Sequence, residues 1–310
     1  MEDPRHAFVE MVNLNESHVL AFDGYIFLCG GKVDANVDPP VSVREALMRE
    51  FSRHDALKER VRLAEGIDKW SFEGHYTDLL EFESHIAELS AAIVLVLESP
   101  GSLAELGIFS SFDQFRDKLI LVMSSLHYEE DSFIKLGPVK FLEDNLGNQA
   151  ECFPWMSKEF GLARYDAMAV AEMQGEIFES VNRRIENLTK DDKFDAAIWL
   201  HIALLVCEVI GLFGALTVGE IRDFLEKLGV NKAQAQVRKI LFMLEQMSML
   251  RVVARSSQRF YVSLIDRDLV RWKVGKGSLD RGKIAFNVIS FYERTDKRRF
   301  RVIQEARALR

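Results

Sequence analysis

Ala91-Ala-Ile-Val-Leu-Val-Leu97, followed at once by Glu98-Ser-Pro-Gly-Ser-Leu-Ala-Glu-Leu-Gly107, is the stretch whose reading decides the fold. An unbroken apolar run with no polar alternation suits a strand buried on both faces, as in a parallel sheet. Ser99-Pro100-Gly101-Ser102 then reads as a turn that opens a helix near Leu103. Working outward, Tyr25-Ile-Phe-Leu-Cys29 ends in Gly30-Gly31, and Lys118-Leu-Ile-Leu-Val-Met123 is a further run. Val61–Ala64 reads as a shorter strand. Helical patterns cover Val41–His54 with Ser42 as cap, Tyr76–Leu89 and part of Ser132–Leu146. Strands alternating with helices predict parallel strands joined by right-handed crossovers. This is a doubly wound α/β domain, expected over residues 1–150.

Residues 151–192 read as a helical connector with one clear helix, Ala169–Leu188, ending at the polar break Lys190-Asp-Asp192. Residues 193–266 then show three helices: Ala196–Phe213, Thr217–Lys227 stopped by Gly229, and one from Asn231 to about Met249. Leu250–Ala254 and Arg259–Leu264 follow as a hairpin turning at Ser256-Ser257. Three helices and a hairpin predict a winged-helix-like α+β domain. Residues 267–310 form a basic helical tail.

The 310 residues are 48% hydrophobic and 28% charged, a globular composition that excludes a disordered, collagen-like or disulfide-scaffold chain. The net charge of −8 argues against a nucleic-acid partner only until it is divided. Arg267–Arg310 holds 13 Lys/Arg and 5 Asp/Glu, a net of +8, which leaves −16 for the residues before it. Cys29, Cys152 and Cys207 have neither zinc-ligand nor CxxC spacing and read as reduced thiols of a cytoplasmic protein. Met1–Phe8 is short, charged and contains Pro4, unlike a signal peptide. Ala196–Leu216, interrupted by His201 and Glu208, reads as a buried helix and not a membrane span.

Ligands of doubly wound sheets bind beyond the carboxyl ends of the strands. Gly30 and Gly31 fall there, and suit either close approach of backbone amides to a phosphate or sugar, or a plain tight turn. Glu105 has two readings. It pairs with Ser102 as a capping box, or it faces the crevice as a nucleophile toward an anomeric carbon. Glu83, near Glu81 and Asp78, belongs to a solvated acidic face or approaches Glu105 as a second carboxylate, where repulsion would raise one pKa. Asp34, Trp70 and Tyr76 fall in loops that could border the crevice, with either aromatic a stacking surface or a core ring. No cluster at ligand spacing suggests a metal.

Phe27-Leu-Cys-Gly-Gly31, Glu83 and Ser99-Pro-Gly-Ser-Leu-Ala-Glu-Leu-Gly107 together resemble the nucleoside 2-deoxyribosyltransferase family. The resemblance implies a five-stranded flavodoxin-like sheet, with Glu105 as the nucleophile and Glu83 as the acidic residue of the preceding helix. Ser99 departs from the family, which commonly places an aspartate there to read the base. Leu28–Gly31, Glu98–Ser110 and Gly137-Pro-Val139, with the winged-helix-like region, are more similar still to the deoxyribosyltransferase-like effectors of bacterial retrons. That resemblance implies an antiphage toxin held silent by a reverse transcriptase and its RNA-linked single-stranded DNA. It also implies N-glycosidic cleavage of a nucleotide, with NAD the leading substrate and no separate cofactor.

The expected function is thus an N-glycoside hydrolase. Glu105 attacks C1′, Glu83 assists, and Ser99, Ser102, Asp34, Tyr76 and the amides near Gly30, Gly31 and Gly101 hold substrate. The rival reading is a non-catalytic nucleotide-sensing regulator that binds DNA through Lys232, Arg238 and Lys239. In the tail, Arg294, Arg298, Arg299 and Arg301, interleaved with Phe291, Tyr292 and Phe300, suit single-stranded nucleic acid or an acidic protein surface. A homo-oligomer is expected.

Overall fold

The computed structural model describes residues 2–66, 74–186, 191–255, 257–275 and 279–308; Trp70, Lys190 and Ser256, named above, lie outside them. The chain forms two compact units. One comprises Asp23–Asp68 and Ile86–Thr189, the other Met1–Phe22, Lys69–His85 and Lys190–Arg310. The protein is mixed α/β, and none of the described helices is long and apolar enough to cross a membrane.

The first unit is built on a five-stranded parallel sheet. Its order is Val61–Arg62, Tyr25–Cys29, Ser90–Val96, Leu119–Ser124 and Glu151–Phe153. All of Ser90–Val96 is buried, as its unbroken apolar run requires. One face of the sheet is covered by the helices Val43–Arg53 and Ala167–Ile185, which bring Leu47, Phe51, Val170, Ile177 and Val181 onto Ile26, Val94 and Ile120. Phe51 meets Phe178 edge-on at 5.2 Å between ring centroids. Each such side chain contributes roughly 1.5–3 kcal/mol by leaving water.

The expected limits at 150 and 192 do not coincide with these units. Glu151–Phe153 is the edge strand of the sheet, paired through Met123↔Cys152, and Ala167–Ile185 completes its core. Residues 151–185 are therefore part of the α/β unit and not a connector. A strand of three residues beginning with Glu151 carries too little pattern to be read.

The N-terminal residues also fall outside the expected α/β domain. Val12–Val19 pairs antiparallel with Val270–Val274, through Val12↔Val274 and Val19↔Val270, and with Asp192–Lys193. The same unit holds the helices Trp199–Phe213, Val218–Lys227 and Gln234–Gln246 and the hairpin of Leu250–Arg255 with Gln258–Ser263. Thr217 caps the second helix in a reciprocal box with Glu220. The basic tail forms the helices Arg281–Thr295 and Lys297–Ala308, which bury Val288, Tyr292, Val302 and Ile303. It is a packed part of the unit.

Candidate functional site

The carboxyl ends of Tyr25–Cys29 and Ser90–Val96 lie side by side in the α/β unit, and the residues just beyond them are bound together. Glu98 is the hub. Its Oε1 accepts the amides of Gly31 (3.0 Å) and Arg44 (2.9 Å), and its Oε2 accepts that of Val43 (2.8 Å). Burial pushes the Glu98 carboxyl up in pKa, opposed by these three amides and by the Arg44 charge. Its carboxylate occupies the amino end of the Val43–Arg53 helix, whose cap is Ser42.

In sequence the glycine pair reads either as amides open to a phosphate or sugar or as a plain tight turn. The Gly31 amide donates to Glu98. Gly30 adopts φ +153°, and a Cβ there would come within 3.0 Å of the Cβ atoms of Arg44 and Val96. At Gly31 a Cβ would lie 3.0 Å from Glu98 Cδ and from Ser42 Cβ. Close packing around Glu98 is thus what demands glycine at both positions.

The turn after Glu98 is equally internal. Ser99, not Ser102, is the N-cap of the helix Pro100–Ser111: its Oγ accepts the Ser102 amide at 3.1 Å and donates to Gly30 O at 3.1 Å. Ser102, fully buried, accepts from the amides of Ser99 and Glu98 and donates to Ser99 O. The capping box expected between Ser102 and Glu105 is therefore a box between Ser99 and Ser102. Pro100 occupies the first turn, where its missing N–H costs nothing. Gly101 is exposed at the head of the helix.

Glu105 stands one turn further on, half-buried, with one carboxylate oxygen fully buried. It lies within electrostatic reach of Arg44. Arg44 is 4% exposed and was not singled out from the sequence. Its guanidinium donates to Leu28 O (3.0 Å), Gly31 O (3.2 Å) and both oxygens of Glu65 (2.8 and 2.7 Å). Burial disfavours its charge, but Glu65, with Cys29 and Glu105, holds the pKa above the ordinary arginine value. An arginine in the first turn of a helix opposes the helix dipole; that conflict in the sequence was the available signal. For Glu98 the signal was a lone acid at the end of an apolar strand.

The remaining candidates take other places. Asp34 accepts the Asn36 amide at 3.3 Å and pairs with Lys32, so it shapes its own turn. Glu83 is half-buried on the helix Leu79–Leu89 and belongs to the other unit, as does Tyr76. Tyr76 is 1% exposed, its Oη 2.5 Å from Nδ1 of His85, and is a core ring there. Lys239 Nζ donates to Glu81 at 2.8 and 2.7 Å; Lys232 is half-buried and Arg238 exposed.

Arg294, Arg298 and Arg301 are exposed, but Arg299 is not. It donates to Glu220 Oε1 (2.6 Å), Tyr292 Oη (3.3 Å) and Ala215 O (3.3 Å). Arg5 shares the same Glu220 and Tyr292, at 3.0 and 2.9 Å. Arg299, itself buried, is thus withdrawn from the exposed basic face and shares the half-buried Glu220 carboxylate with Arg5.

A parallel α/β sheet with a carboxylate-bearing helix at its strand ends, joined to a second unit of helices and a hairpin, defines the class of protein. The sequence pattern of the STM3845 retron effector protein family matches residues 40–252, and the chain belongs to that family. It is similar to two Escherichia coli proteins. The "Retron Ec73 putative ribosyltransferase/DNA-binding protein" is 27% identical over 225 residues, 66% of each chain. The "Retron Ec86 putative ribosyltransferase/DNA-binding protein" is 31% identical over 169 residues, 54% of this chain and 53% of that one. The matched region thus spans just under two thirds of the first relative and about half of the second.

Proposed function

We propose that this retron effector is an N-glycosidase that cleaves the bond between ribose and base of a nucleotide, with NAD as the leading substrate. The observation that carries the reading is Glu105: a carboxylate partly withdrawn from water, on a helix that starts at a strand end and within reach of the Arg44 charge. The sheet order, with the second strand at the edge and the first beside the third, agrees with a flavodoxin-like fold, whose ligands bind at these strand ends. The two relatives' names include ribosyltransferase.

In the proposed reaction a Glu105 oxygen attacks C1′ of the ribose as the C1′–N bond breaks. The bond's electron pair goes to the base. In NAD that pair neutralises the pyridinium, so nicotinamide departs without needing a proton. Water then attacks C1′ of the ribosyl ester, gives up a proton and releases Glu105. Two displacements retain the anomeric configuration. Arg44 and Glu98 do not react; they hold the strand ends and the helix starts in register.

The second unit carries the other half of the proposal. Its three helices and hairpin, read as winged-helix-like, would engage the RNA-linked single-stranded DNA of a retron reverse transcriptase through exposed basic residues such as Arg238. The relatives' names include DNA-binding. Purified protein, freed of any inhibitory partner, should release nicotinamide from NAD, followed by chromatography. Retention of full activity by Glu105→Gln would overturn the assignment of Glu105. Nucleic-acid binding without turnover of NAD or any nucleotide would favour the non-catalytic regulator.

A further inference from the structure

Residues 75–85 precede the strand Ser90–Val96 in sequence, yet pack within the unit that holds the helix Gln234–Gln246. They cover one face of that helix. Lys239 and Phe242 are three residues apart and so share this face. Both Glu81 oxygens hold the Lys239 ammonium, which also lies 5.0 Å from the centre of the Tyr76 ring. The His75 imidazole stacks on Phe242, with centroids 4.9 Å apart and planes 30° from parallel. Tyr76 packs against the same phenyl ring at 6.1 Å. Under this cover Phe242 is only 4% exposed.

A carboxylate on a lysine and a flat heterocycle on a phenylalanine, side by side, are the two contacts that define a nucleotide site: phosphate to cation, base to aromatic face. The geometry points to residues 75–81 as an internal mimic of a nucleotide. They occupy a site for an unpaired nucleotide on the Lys239–Phe242 face, with Glu81 in place of the phosphate and His75 in place of the base. A single strand would compete with this segment for the helix. Duplex DNA cannot satisfy the site, because its bases are not free to stack.

The segment has an anchor of its own beyond the mimic. Tyr76 Oη is 2.5 Å from His85 Nδ1, and the His85 ring stacks on Trp199 at 4.0 Å and 8°. Displacing Glu81 and His75 therefore need not unfold the segment.

The inference rests on the nucleic-acid-binding reading of this unit and is independent of glycosidase activity. The test is binding of a fluorescein-labelled oligothymidylate to the full chain, followed by anisotropy as a function of salt. Glu81→Gln removes the competing charge and is expected to tighten binding about two- to fivefold, the strength of a part-exposed ion pair. The slope of log affinity against log salt should steepen by about 0.7, one added phosphate contact. Lys239→Gln in the Glu81→Gln background should reverse both changes, and His75→Ala should tighten binding without altering the slope. Wild-type binding that Glu81→Gln leaves unchanged overturns the mimic while sparing the nucleic-acid reading. Absence of binding by wild type and Glu81→Gln alike overturns both. A gain for duplex equal to that for single strand overturns the stacking role of Phe242.

Discussion

The backbone amide of Gly31 donates to Glu98 Oε1 at 3.0 Å, across 67 residues of sequence. One carboxylate thereby ties the end of Tyr25–Cys29 to the end of Ser90–Val96 and to the helix Val43–Arg53. Glu98→Gln offers one acceptor oxygen where two are used, and turns an N–H toward an N–H. A loss of about 1–3 kcal/mol is expected in urea denaturation of the full chain. Gly31→Ala should cost at least as much, because its Cβ would meet the Glu98 carboxyl carbon at 3.0 Å.

Replacing the proposed nucleophile separates chemistry from folding. Glu105→Gln keeps the shape and removes the charge, so nicotinamide release should fall ~10³-fold or more while the denaturation midpoint stays within experimental error. Arg44→Lys tests the support. Lysine cannot span Leu28 O, Gly31 O and both oxygens of Glu65, and both stability and turnover should decline.

The arginines of the tail are not equivalent. Removing Arg299 leaves the part-exposed Glu220 carboxylate with Arg5 and its Thr217 cap, and Arg299→Ala should destabilise by about 1–3 kcal/mol through the lost charged hydrogen bonds. Arg298→Ala, at an exposed position, should change stability by no more than ~0.5 kcal/mol. A pair of denaturation curves distinguishes the two. If the tail binds nucleic acid, Arg298→Ala with Arg301→Ala should lower the salt slope while leaving stability unchanged.

Burial draws the pKa of His85 down to about 4 from the usual 6.5, with Glu81 opposing and Lys239 assisting, and shifts His201 in the same direction. Both rings are held neutral in the folded state and take up protons more readily when unfolded. Stability from this source is fully present above pH about 6.5 and is lost as pH falls from there toward 4. Denaturation at pH 7.5, 6 and 5 should show the decline, and His85→Gln should flatten it.

The parallel sheet was legible because Ala91–Leu97 and Tyr25–Cys29 are apolar without interruption, a pattern that only burial on both faces explains. Ser42, Thr217 and the helices they cap were legible from local chemistry. Glu151–Phe153 was not, since three residues carry no period. The membership of Val12–Val19 could not be read either, because its partner lies some 250 residues away and only tertiary pairing reveals it. After Glu98 the helix start was legible, but its capping bonds were not. A serine three residues before a glutamate and a serine three residues before a serine both satisfy a capping pattern, and the helix start at Pro100 decides between them.

The pairing of Val12–Val19 with Val270–Val274 bears on how the chain comes off the ribosome. Val12–Val19 emerges some 250 residues before the partner strand it pairs with. The α/β sheet and its helices, whose pieces end by residue 189, can close before then. A truncated product that stops short of Val270 would carry an assembled sheet and Glu105, but leave Val12–Val19 without its longest partner strand.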